Sequence, residues 1–274
     1  MGNRNTAKYS VNPDIHIVGR NKASAEKVLA ELRAANPNGS YHFHECDISL
    51  LSNGRTLATT LAHQLPKINL LVLTAGILSF RGRTETSEGH DVKMVLHYYS
   101  RMLFIDALLP NLQAVATDRR EGTARVMSVL NSMKSDHRNL LWNDLDLKKT
   151  YTPASAKNTF HLNDGCSFTR EICTSPSLDI VPTLLPIRSV EGPLSRAAVV
   201  RVRPSGPASI LGKLFGTSPG DCAEYLFDPL WNDTMRTGAH FVDARGKEVE
   251  GKVESGEDVQ EEVWAHTQSI LSKR

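Results

Sequence analysis

The sequence predicts an α/β fold, a three-layer sandwich built on a mostly parallel, doubly wound sheet. Three observations predict it. Short β-rich runs alternate with amphipathic helical stretches through residues 15–130. The connections are short, which favours parallel strands joined by right-handed crossovers. The run at 68–73, Ile-Asn-Leu-Leu-Val-Leu, is apolar enough for a strand buried on both faces.

The elements follow in order. Residues 15–18, Ile-His-Ile-Val, read as a strand ending at Gly19. Residues 23–35 read as a helix with Ala25, Val28, Leu29 and Leu32 on one face, stopped by Pro37, Asn38 and Gly39. A second strand covers 41–45. A second helix covers 48–65 and is closed by Pro66. After the 68–73 strand, a long helix spans 87–112 with Ser87 as its N-cap. A fourth strand covers 124–130, and 143–149 is a charged loop. Between 150 and 207 the periodicity is weak. There 178–185 alone is clearly apolar, and Pro182 interrupts it. Residues 218–230 read as a helix with Ser218 as N-cap and Pro219 in its first position. A late strand at 238–242, a turn at Arg245-Gly246 and an amphipathic helix at 257–273 complete a single domain over 1–274.

Bulk properties narrow the function. The chain has 274 residues, enough for a full core, with 32 Lys+Arg against 30 Asp+Glu. This near-neutral balance argues against nucleic acid or an anionic membrane as partner. No apolar run approaches the length of a bilayer span. The four cysteines, Cys46, Cys166, Cys173 and Cys222, are scattered. They read as reduced thiols of a cytoplasmic protein rather than as a metal site.

A doubly wound sheet binds ligands at the carboxyl ends of its strands. Arg20 follows the first strand, where a guanidinium can grip a ribose 2′-phosphate in bidentate fashion. Asn21 stands beside it as a further cofactor-side residue. Asp47 follows the second strand and can accept from an adenine amino group, or serve only as a helix cap. Thr74-Ala75-Gly76 follows the third, with side chains small enough for a flat ligand to approach the backbone.

In these segments the chain resembles the short-chain dehydrogenase/reductase family, especially its fungal and retinol-dehydrogenase-like members. Val18-Gly19-Arg20-Asn21 looks like the family's NADP-selecting basic segment, and Cys46-Asp47-Ile48-Ser49 like its adenine-binding segment. Thr74-Ala75-Gly76-Ile77 looks like its Asn-Ala-Gly-Ile segment, with Thr74 in place of Asn. Residues 88–110 look like its interface helix, with His97 where the family carries Asn. The resemblance implies a Rossmann-like domain that binds NADP(H). It implies an oxidoreductase of secondary metabolism acting on a carbonyl or alcohol of a small metabolite, and a homodimer through helix 88–112.

The departures from that pattern shape the expectations. The family opens with a central strand and a glycine-rich pyrophosphate turn. Here Gly2-Asn3-Arg4-Asn5-Thr6-Ala7 looks like the tail of that turn, so a sheet without its first strand is expected. No Tyr-x-x-x-Lys occurs; Tyr151 and Lys157 are six apart, whereas a spacing of four shares one helix face. Ser128 stands one place early and Ser132 late for the family serine. Ser128 and Tyr151 are the candidate catalytic pair, with His161 as a further acid/base. The alternative is a relative that no longer transfers hydride, an isomerase, cyclase or inactive binding protein, because enol–ketone proton transfer needs no nicotinamide.

Overall fold

In a computed structural model, the described residues are 12–77, 82–116, 124–131, 141–151, 178–185, parts of 223–248, and 257–273. They form an α/β fold with parallel strands. β1 (Asp14–Gly19) pairs with β2 (Ser40–Glu45), with His16 opposite His42. A second sheet has the order β3 (Leu70–Leu73), β4 (Ala124–Asn131), β5 (Leu178–Leu185), β6 (Gly238–Ala239), parallel throughout. Pro182 does not break β5: it pairs in register with Ser128. Among the described residues no strand joins the two sheets. The Gly2–Ala7 segment, Ser132, Lys157, His161 and Ser218 lie outside the described residues.

Period-two alternation orients β1 and β2. Ile15 and Tyr41 are buried with Val28, Leu29 and Leu32 of α1 (Lys22–Ala35), and Ile17 and Phe43 pack against this cluster. The larger core lies where α2 (Leu51–Gln64) and α4 (Ser100–Ala116) cover β3 and β4. Close-packed interiors of this kind supply the dominant stabilising term. Asn111 joins the two helices, its amide donating to the Ala62 and Leu65 carbonyls at the end of α2. That satisfies acceptors a helix terminus leaves open.

The long helix departs from its expected form. Its helical part begins at α3 (Val92–Met94), continues as a π-helical segment Val95–Tyr99, and becomes α4. The N-cap is Asp91, not Ser87: Asp91 Oδ1 accepts from the amides of Lys93 and Met94, and Oδ2 from Thr84 N. A residue that closes three backbone donors outcompetes one that could cap only a turn already used by Thr86 and Gly89. Tyr98 and Tyr99 turn from this segment to α5 (Glu257–Leu271), where their hydroxyls meet Thr267 and His266. From Val92 to Val115 the helix is mostly buried, with Asp106 and Pro110 of α4 its exposed positions.

The start of α2 also differs from the Ile48 that the sequence predicts. It begins at Leu51, behind a turn in which Asp47 Oδ1 accepts from Ser49 N and Oγ. Its cap comes from far along the chain: Glu88 accepts from Leu51 N at 2.6 Å and Ser52 N at 3.0 Å. Burial alone would raise the Glu88 pKa, but the bonds from Ser52 and Leu51 and the nearby His90 outweigh it and hold it low. Glu88→Ala is expected to cost about 1–2 kcal/mol, as loss of a good N-cap does. Urea denaturation at neutral pH checks this, and a loss below a few tenths would remove Glu88 as the cap. Lastly, β3 is less enclosed than its composition suggests: Leu73 is buried, and Leu70 to Val72 are only partly so.

Candidate functional site

The carboxyl ends of β1 to β4 gather most of the residues singled out from the sequence. Arg20 leaves the end of β1 and Asp47 the end of β2, and the backbone holds them together through Cys46 N donating to Gly19 O. Their side chains form an ion pair at 3.6 Å, with Arg20 62% and Asp47 39% exposed. A pair this open contributes little to stability and leaves Arg20 free to take another anion. Burial would raise the Asp47 pKa; the Ser49 bonds and the Arg20 guanidinium prevail and lower it, so the carboxylate stays ionised at neutral pH. Asp47 therefore orders its turn without capping α2. Asn21 is the N-cap of α1, with Oδ1 accepting from Ser24 N at 2.8 Å.

Thr74, Ala75 and Gly76 leave the end of β3 half-buried, and their backbone is read by helix side chains from the π-helical segment and α4. Ile77 N donates to His97 Nε2 at 2.9 Å. A side chain at Gly76 would approach the His97 ring at 3.1–3.2 Å, so glycine sets how closely the loop meets the helix. The same four-residue spacing brings Arg101 beneath the loop. Arg101 Nη2 donates to Ala75 O at 2.7 Å, and Nη1 to Ser128 Oγ and Val129 O at 2.8 Å each. One guanidinium thus bridges the ends of β3 and β4. Burial brings its pKa down to about 10, which still leaves it charged at neutral pH. His97 is pushed the same way, to about 4, by burial and then by Arg101, against the opposing hydrogen bond to Ile77 and the charge of Asp91. It is a neutral acceptor at physiological pH. A π-helical segment carrying His97 is a feature frequent at functional sites.

The two candidate catalytic residues sit in different networks. Ser128 is fully buried with its hydroxyl on Arg101. Tyr151 lies under the Lys93 ammonium, which is 5.1 Å from the ring centroid. Lys93 also donates to Gly82 O and approaches Asp91 Oδ2 at 3.5 Å. Asp144 leads the chain to Tyr151 by accepting from the amides of Lys148, Lys149 and Thr150 and from Thr150 Oγ1. Those bonds outweigh burial and lower its pKa. Arg101 was not anticipated from the sequence. Its signal is a cation heading the mostly apolar stretch 102–109, which Asp106 alone interrupts, but the partners that give it meaning are 26–28 residues away.

No protein-family profile matches the chain. Among curated proteins it is similar to oxidoreductase AN1596 of Emericella nidulans, 39% identical over 153 residues, covering 56% of this chain and 44% of the relative. It is also similar to the short-chain dehydrogenase/reductase tropG of Talaromyces stipitatus, 33% identical over 103 residues, covering 35% and 31%. The chain therefore spans less than half the length of these relatives. Among solved structures it shares its fold with the Pseudomonas aeruginosa RhlG/NADP complex (TM-score 0.55, 16% identity, 84% of each chain). It shares it too with an NADH-dependent reductase of alginate metabolism complexed with NAD (TM-score 0.54, 16% identity, 89% of each chain).

Proposed function

We propose that this chain, a relative of the short-chain dehydrogenase/reductase family, is an NADP(H)-dependent oxidoreductase acting on a carbonyl or alcohol of a small, fairly apolar metabolite. Secondary metabolism as the setting and the cytoplasm as the place of action belong to the same reading. The single observation that carries the reading is the exposed Arg20–Asp47 pair at the carboxyl ends of β1 and β2. The residues suit the adenosine half of the cofactor. Arg20 would grip the 2′-phosphate, Asp47 would accept from the adenine amino group, and the loop would lie along the nucleotide. The nicotinamide supplies hydride when bound. Ser128 and Tyr151 are the residues this reading assigns to proton transfer, and Asn21 supports Arg20 through its cap. A homodimer belongs to the reading; sedimentation of the purified chain as a monomer would remove it.

One observation favours a second reading. Ser128 is fully buried, with its hydroxyl accepting from the Arg101 guanidinium, an enclosed position that gives a substrate carbonyl no access. A relative that has lost hydride transfer, an isomerase, cyclase or inactive binding protein, tolerates that arrangement.

Fluorescence titration with NADPH and NADH separates the readings. Wild-type chain is expected to bind NADPH saturably and in preference to NADH. Arg20→Ala should weaken NADPH about tenfold or more and leave NADH nearly unchanged, because only the former carries the 2′-phosphate. Absence of saturable binding by the folded chain would leave the non-redox reading standing.

A further inference from the structure

The face of the β1–β2 sheet opposite α1 carries a cluster that the nucleotide reading does not use. Strand alternation places Asp14 and His16 of β1 on that face, and parallel pairing sets His42 of β2 directly beside His16. His42 Nε2 lies 3.2 Å from Asp14 Oδ1, and His16 Nε2 lies 3.3 Å from the same oxygen. The three ligand-capable atoms all fall within 4.8 Å of one another. In a tetrahedral zinc site, with bonds of about 2.0–2.2 Å, neighbouring ligand atoms stand about 3.3–3.5 Å apart. The two short separations already match edges of such a tetrahedron.

A second observation concerns His16 alone. Its ring is held from both sides, stacked on His42 with centroids 4.6 Å apart and on His44 at 5.1 Å. Its Nδ1 is engaged by His44 Nε2 at 2.8 Å. Its Nε2 is buried without a hydrogen-bond partner and lies 3.3 Å from Asp14 Oδ1. A metal-bound imidazole has this arrangement: one nitrogen turned to the ion, the other fixed by an outer hydrogen bond that sets the tautomer. Asp14 and His42 are half exposed, at 56% and 50%, so an ion could enter from solvent.

We propose that this face is a binding site for a divalent transition-metal ion, zinc above all, with Asp14 Oδ1, His16 Nε2 and His42 Nε2 as ligands. Imidazole and carboxylate suit zinc, and three protein ligands leave the fourth position to water. The site lies toward the amino ends of the strands. At about 3.3 Å per residue its ligands lie about 13–20 Å from Arg20, so it serves the sheet rather than the nucleotide. The bound ion would pin the register of β1 against β2.

Calorimetric titration of the full chain with zinc tests this, beside Asp14→Asn and His42→Gln. Both changes are at exposed positions and spare the core on the α1 face; far-UV circular dichroism verifies folding. One equivalent of zinc taken up by wild type, weakened tenfold or more by either substitution, is the expected result. Excess zinc should also raise the thermal midpoint of wild type and not that of His42→Gln. Titration with cobalt should broaden imidazole proton signals of His16 and His42 selectively. No uptake by wild type, or uptake that both variants retain at full strength, overturns the proposal. Because Arg20 is remote, NADPH titration of the same variants reports on the nucleotide reading separately.

Discussion

Arg101→Ala should destabilise the fold by about 3–5 kcal/mol, the largest effect expected of any single side chain at the site. The guanidinium makes three charge-assisted bonds, to Ala75 O, Ser128 Oγ and Val129 O, and the residue is buried. Alanine leaves two carbonyls and a hydroxyl without donors in a space too enclosed for bulk water. Each unsatisfied buried group costs about 1–3 kcal/mol, and the emptied volume adds to that. In a chain of this size the loss corresponds to a fall of about 10 °C in melting midpoint.

Two further substitutions distinguish the staple from mere packing. Arg101→Lys keeps the charge but cannot reach three acceptors in a fixed plane, so it should recover only part of the loss. Arg101→Met fills the volume and removes the cost of burying a charge, yet leaves the acceptors unpaired. It should fall between wild type and alanine. Urea denaturation of the four proteins gives the ranking. A loss below about 1 kcal/mol for alanine would mean that water or a neighbour replaces the guanidinium, contrary to its role in tying β3 to β4.

The elements around this staple differ in how far the sequence discloses them. Strand and helix alternation was legible because it is local: Ala25, Val28, Leu29 and Leu32 repeat at helical spacing and are the residues buried in α1. Arg20 and Asp47 were legible because a strand's end and the residue after it are neighbours in sequence. The start of the long helix was not, since its flanks offer two good cap residues, Ser87 and Asp91, and local preference cannot rank them. Asp91 prevails through Thr84 N, a partner brought back by the turn at Thr86–Gly89. Glu88 capping α2 spans 37 residues, and the His16–His42 pairing depends on which residue of β2 faces which of β1. Strand register is a property of two segments together, so neither run of histidines announces the cluster alone. The sequence did hold a trace of it: Ile-His-Ile and His-Phe-His place polar rings at period two on strands whose other face is apolar.

The pH dependence of stability should reveal His97. Its pKa is lowered from 6.5 to about 4, first by burial and then by the Arg101 charge. Between those values the unfolded chain binds a proton that the folded chain refuses. Stability therefore rises with pH across this window: the contribution is complete above about pH 6.5 and is lost as pH falls toward 4. The shift corresponds to about 2 kcal/mol lost by pH 5 and about 3 kcal/mol by pH 4. Asp47, Glu88 and Asp144, whose pKa values are also lowered, add acid sensitivity of the same sign but at lower pH. His44, His90 and His266, all held low by burial first, act in the same window as His97. Comparison with His97→Asn isolates the one residue, because an amide keeps an acceptor for Ile77 N and does not titrate in this range. Urea denaturation at pH 7.5 and pH 5 is expected to give a wild-type loss about 2 kcal/mol larger than that of the variant. Equal losses would mean that His97 titrates normally, with enough water around it to carry the charge. The loop at Gly76 would then be a solvated mouth of the site rather than a wall packed against its helix.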